Sequence, residues 1–214
     1  MSTKPNTTDD QLLISYRLLR RVVGWIGIML PIVILVGESV LNGEWGIRES
    51  ISSYYWSVWM RDVLVGSLCA IGVFMFSYRG EGWDNFAGNV ACVTAIGVAL
   101  FPTSQGEHYT AVGVAHYAFA AVLFLTLAYF CLISFRRNDP GLKPLPKKPL
   151  RNKIYVGCGI TILACIALIG LVQVLPNESA VLRWQPVFVL EAFAIWAFGW
   201  SWLIKGKGLK LVQG

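Results

Sequence analysis

The sequence is poor in charge. Only 14% of its 214 residues are Asp, Glu, Lys or Arg, where a soluble domain carries about 25%. With 56% hydrophobic residues and a mean hydropathy of +0.59, most of the chain is expected to face lipid rather than water. Histidine is scarcer still, at two residues. Zinc usually takes three or four well-placed ligands, and Glu107, His108 and His116 come closest to a set. No metal site and no cofactor are therefore expected, with zinc a disfavoured alternative. Cys69, Cys92, Cys131, Cys158 and Cys165 lie in apolar runs without a C-x-x-C pair, and read as small buried side chains. There is no Gly-x-Ser-x-Gly elbow to activate a serine. No Ala-x-Ala site follows the long polar lead, so a cleaved signal peptide is not expected. Nor is there a soluble basic domain to face nucleic acid, so the net charge of +6 is assigned to membrane loops.

What is present is a series of apolar runs. At about 20 residues per crossing, six spans fall at about 22–41, 61–78, 86–101, 112–135, 154–175 and 184–204, the third short and starting as early as Trp83. The expected fold is an all-α integral membrane bundle of six transmembrane helices. A short interfacial helix should precede it in residues 1–21, starting at the capping box Thr8-Asp9-Asp10-Gln11. Pro31 is tolerable inside a membrane helix, and Pro186 suits a first turn. Fifteen Lys and Arg residues fall on the side of the termini, against Arg48, Arg61 and Arg183 on the other. The positive-inside rule then puts both termini, the basic proline-rich linker 136–153 and the tail 205–214 in the cytoplasm. That charge bias, without a transit peptide, favours a bacterial inner membrane. Ala91, Ala95 and Ala99, with Gly88 and Cys92 alongside, mark the third span as a close-packing face.

Polar residues in the spans acquire depths from this topology. Glu38 ends the first span on the outer side, Arg61 and Asp62 open the second, and His116 lies one turn into the fourth. Gln173 ends the fifth. Glu191 sits about 10 Å into the sixth, at 1.5 Å per residue. The inner half is expected to hold only mild groups such as Asn89. Each outer residue has a plain structural use: interfacial ion pair, interhelical hydrogen bond, solvated carboxylate. Together, Asp62, His116 and Glu191 form a candidate acid–base set, since an imidazole titrates near neutrality and can be oriented by a carboxylate. Ser52, Ser53, Tyr54, Tyr55, Arg61 and Glu38 are the candidate binding residues. Tyr54, Tyr55, Trp56 and Trp59, with Trp45, form either an aromatic belt or a wall for a lipid headgroup.

Ser50-Ile-Ser-Ser-Tyr-Tyr55, Arg61-Asp62 with Val65-Gly66, and Ala99-Leu-Phe-Pro102 resemble a pattern in uncharacterised bacterial multipass membrane proteins, a family with no assigned activity. His116-Tyr117, Trp196-Ala-Phe-Gly199 and Trp202-Leu-Ile-Lys205 extend it over most of the chain. The resemblance implies membrane class and no particular reaction. A more distant likeness is to the CREST membrane hydrolases, which use Ser, Asp and three His around zinc. Ser52 or Ser53, Asp62 and His116 match them by type. Those enzymes have seven spans and a paired histidine motif near the C-terminus, whereas no histidine follows His116 here, so no ligand is carried over.

Three functions are compatible with these features. The first is an outer-third polar pocket that binds or remodels a membrane lipid, as a lipid hydrolase or remodelling enzyme if catalytic. The second is a non-catalytic scaffold or complex subunit, with a cytoplasmic protein partner at the basic linker. The third is a small proton-coupled carrier, which the scarcity of inner-half polar groups disfavours.

Overall fold

The computed structural model describes residues 7–43, 46–78, 80, 82–105, 110–137, 148–176 and 179–206, with side chains from Arg17 onward. Trp45, Arg79, Glu107, His108, most of the proline-rich linker (138–147) and the tail 207–214 lie outside the described residues, as do the side chains of the capping box. Among the described residues there are six long α-helices and no strand: α1 Thr7–Asn42, α2 Met60–Ser77, α3 Asp84–Leu100, α4 Ala111–Leu132, α5 Lys148–Val172 and α6 Pro186–Lys205. Short 3₁₀ turns cover Ser52–Trp56, Ser134–Arg136 and Ala180–Trp184. All but α3 are long and apolar enough to cross a membrane. With 17 residues, α3 rises about 25 Å, short of a hydrocarbon core of about 30 Å.

The expected division between an interfacial helix and a first span is not present. From Thr7 to Asn42 the chain is one continuous helix of 36 residues. Nothing before Pro31 in this stretch breaks a helix, and Pro31 is accommodated inside it. Pro186 takes the first-turn position of α6, after Gln185 in the left-handed region at φ 48°.

Each helix packs on the next in sequence, and α6 closes back on α1. Small residues set two close backbone crossings. A Cβ on Gly24 would meet the Gly199 carbonyl at 2.8 Å, and one on Gly199 would meet the Gly24 carbonyl at the same distance, so α1 and α6 touch backbone to backbone. A Cβ on Gly88 would come within 2.8 Å of the Met75 carbonyl, which locks α3 onto α2. Ala91, Ala95 and Ala99 are all buried, as their spacing predicts. Alternation of helix direction gathers the start of α1 and the end of α6 at one end, here the basic end. The loop between α1 and α2 lies at the other, here the carboxylate end.

Candidate functional site

At the carboxylate end, residues 46–59 leave α1 and enter α2 through a 3₁₀ turn. A free loop would expose its backbone groups to water. This one is pinned by side chains from two helices. Glu38, in the last turns of α1, is 5% exposed. Its Oε1 accepts Arg48 Nη2 at 2.5 Å and Nε at 3.0 Å, and its Oε2 accepts the Ser57 hydroxyl. Ser57 Oγ in turn accepts the backbone N–H of Met60 at 3.0 Å and of Trp59 at 3.2 Å, supplying orphan donors at the start of α2 with an acceptor.

Glu191, in the second turn of α6, reaches the same loop from the other side. Its Oε2 accepts the Ile51 N–H at 2.6 Å, with Ser52 also turned toward the carboxyl group. Ile51 begins the 3₁₀ turn, so the carboxylate acts as its cap. The Glu49 carbonyl accepts from Phe188 N–H at 3.1 Å, which ties the loop to the first turn of α6. Ser53 is consumed locally: its N–H donates to Ser50 Oγ at 2.9 Å and its hydroxyl to the Ser50 carbonyl at 2.6 Å.

Tyr54 is fully buried between the Arg48 guanidinium, 5.6 Å from its ring centroid, and Phe188 at 6.0 Å. Its hydroxyl has no hydrogen-bond partner among the described residues. Burial pushes this phenol above its ordinary value. Trp56 Nε1 donates to Thr103 and extends the pinning to the loop between α3 and α4.

The three acid–base candidates stand apart: two hold different backbone partners and the third is exposed. His116 is 3% exposed, and its Nδ1 lies 2.6 Å from the Phe101 carbonyl. A carbonyl only accepts, so Nδ1 carries the proton, and the imidazole caps the end of α3. Asp62 is exposed in the first turn of α2, where a carboxylate favours the helix dipole. Glu191 holds Ile51. No hydrogen bond or ion pair joins any two of these three among the described residues. Arg61 is exposed beside Asp62; its guanidinium lies 4.6 Å from the Tyr55 ring centroid, and its Nη2 donates to the Tyr55 hydroxyl at 3.0 Å. Gln173 is exposed at the end of α5. Among the described residues, no three His, Cys, Asp or Glu side chains come together as a metal site.

The expectation of a mild inner half is overturned at the basic end. Asp84, the first residue of α3, is 4% exposed. Its Oδ1 accepts the Tyr129 hydroxyl at 2.9 Å and Arg137 Nη1 at 3.2 Å, and its Oδ2 accepts the Ser134 hydroxyl at 2.8 Å. A third span starting as early as Trp83 takes in Asp84, but the sequence alone assigns that acid no partner. An acid opening an apolar run, where a helix start favours negative charge, was the available signal.

No family model, curated protein or solved structure matches this chain.

Proposed function

We propose that this is a six-span inner-membrane protein with both termini cytoplasmic, and that its carboxylate end binds the headgroup of an outer-leaflet phospholipid. The observation that carries the reading is the use made of the buried acids. Glu38 and Glu191 are spent holding the loop still, and the loop delivers Arg61, Asp62, Tyr55, Trp56 and Trp59 to the surface at the mouth of α2. Arg61 offers a forked donor to a phosphate. Asp62 beside it suits an ammonium, so a zwitterionic headgroup such as phosphoethanolamine complements the pair. The exposed tryptophans match the depth at which such headgroups sit.

Binding is favoured over turnover because His116 and Glu191 each serve a separate backbone partner, while Asp62 stands apart from both at the surface. The carrier alternative loses its original objection, since Asp84 supplies a polar group at the basic end. The interior between the two ends still offers it little, because the Thr94 and Ser201 hydroxyls donate to carbonyls of their own helices.

Whole-cell lipid mass spectrometry tests the choice. A strain lacking the protein would be complemented with wild type, Arg61→Gln or His116→Ala at equal expression. The binding reading expects the His116→Ala strain to match wild type in every lipid species, and the Arg61→Gln strain to follow the deletion. A species restored by wild type and Arg61→Gln but not by His116→Ala would instead point to chemistry at the imidazole.

A further inference from the structure

An exposed arginine ordinarily samples many rotamers. Arg61 is exposed, yet its guanidinium is held by a chain of contacts that ends on a different loop. It lies over the Tyr55 ring, 4.6 Å from the centroid, and its Nη2 donates to the Tyr55 hydroxyl at 3.0 Å. Tyr55 in turn meets Trp56 edge to face, with centroids 5.4 Å apart and ring planes at 77°. The Trp56 indole N–H is shared between the Thr103 carbonyl at 3.2 Å and the Thr103 hydroxyl at 3.3 Å.

The far end of this chain is firm. Thr103 follows Trp56 by 47 residues, in the loop from α3 to α4, and at 7% exposure it has little surface to offer a ligand. Beside it, Ser104 Oγ accepts the Thr110 N–H at 2.9 Å, and Thr110 Oγ1 caps the Gly113 N–H at 3.0 Å. A Cβ on Gly113 would collide with Ser104 Oγ, so the loop sits directly on the first turn of α4. The near end is open. Nη2 is spent on Tyr55, and the guanidinium makes no other hydrogen bond among the described residues. Fixing a long side chain before a ligand arrives removes its ordering cost from the binding step.

We propose that Thr103 and Trp56 are positioning residues of the headgroup site, which act through Tyr55 to hold the Arg61 guanidinium where it meets a lipid phosphate. Given the outer headgroup reading, on which this rests, the loop between α3 and α4 becomes the second wall of the site. Affinity then depends on a buried hydroxyl that does not itself touch the lipid.

The test is titration of the full-length protein in detergent with a short-chain phosphatidylethanolamine, with thermal unfolding followed alongside to show that each variant is folded. Trp56→Phe removes the indole N–H and should weaken binding about five-fold. Thr103→Val removes one of its two acceptors and should weaken binding about three-fold, while Thr103→Ser should bind as wild type does. In an Arg61→Gln background, which keeps Asp62 for the ammonium, Trp56→Phe should change binding less than about two-fold, because its effect passes through Arg61. The same five-fold loss in both backgrounds would make Trp56 a structural residue or a direct lipid contact, and would overturn the positioning role. If Arg61→Gln leaves too little binding to measure, the Thr103 variants decide: Thr103→Val equal to wild type, or Thr103→Ser as weak as Thr103→Val, overturns it. A wild type that does not bind phosphatidylethanolamine would overturn the headgroup reading itself, and the positioning role with it.

Discussion

Glu38 and Asp84 sit at opposite ends of the bundle and are held alike, each enclosed and each bonded to one arginine and one serine hydroxyl. They differ in how far along the chain those partners lie. Arg48 and Ser57 follow Glu38 by 10 and 19 residues, so the cluster closes a single loop onto its own helix. Tyr129, Ser134 and Arg137 follow Asp84 by 45, 50 and 53 residues, so that cluster ties α3 to the far end of α4. One end fixes a surface feature, and the other fixes helix against helix. The exposed headgroup candidates accordingly stand on the first.

This difference should appear in stability. Asp84→Ala removes the acceptor for three donors, the Ser134 and Tyr129 hydroxyls and the exposed Arg137 guanidinium, and unties α3 from the end of α4, which costs about 3–4 kcal/mol. Glu38→Ala strands Arg48 and Ser57 beside a loop that can relax into water, so about 2–3 kcal/mol is expected. Thermal unfolding in one detergent would rank the two, and a Glu38 loss as large as that of Asp84 would break the contrast. His116→Gln weakens one capping contact at the Phe101 carbonyl and should cost about 1 kcal/mol, a smaller effect than either carboxylate. Arg61→Gln touches only exposed groups and should stay within about 0.5 kcal/mol of wild type, while lowering retention of a phosphatidylethanolamine probe. An unfolding loss well above that value would mean that Arg61 holds the loop rather than a ligand.

The same separation governs what could be read from the chain. Apolar run length places the helices, because crossing lipid demands it, and the stripe of alanines marks the face of α3. Glu38 and Glu191 stand out because an acid inside an apolar run has few uses. Asp84 escaped because it sits where run meets loop, and its meaning depends on donors about fifty residues away. The contact of Gly24 with Gly199 is hidden for the same reason. Periodicity shows a small residue on a face but not which distant helix that face meets. The unbroken α1 differs from the expected two pieces because a change from polar to apolar residues alters the surroundings of a helix without ending it. The pinning role of Glu191 was also out of reach, since its partner is a backbone N–H that any residue at position 51 would supply.

The most direct measurement is native mass spectrometry of the protein released from phosphatidylethanolamine-rich membranes, comparing wild type, Arg61→Gln with Asp62→Asn, and His116→Gln. The account predicts that wild type and His116→Gln carry phosphatidylethanolamine and that the Arg61 and Asp62 double variant, still folded, has lost it. Equal retention in all three would contradict a headgroup site at the mouth of α2.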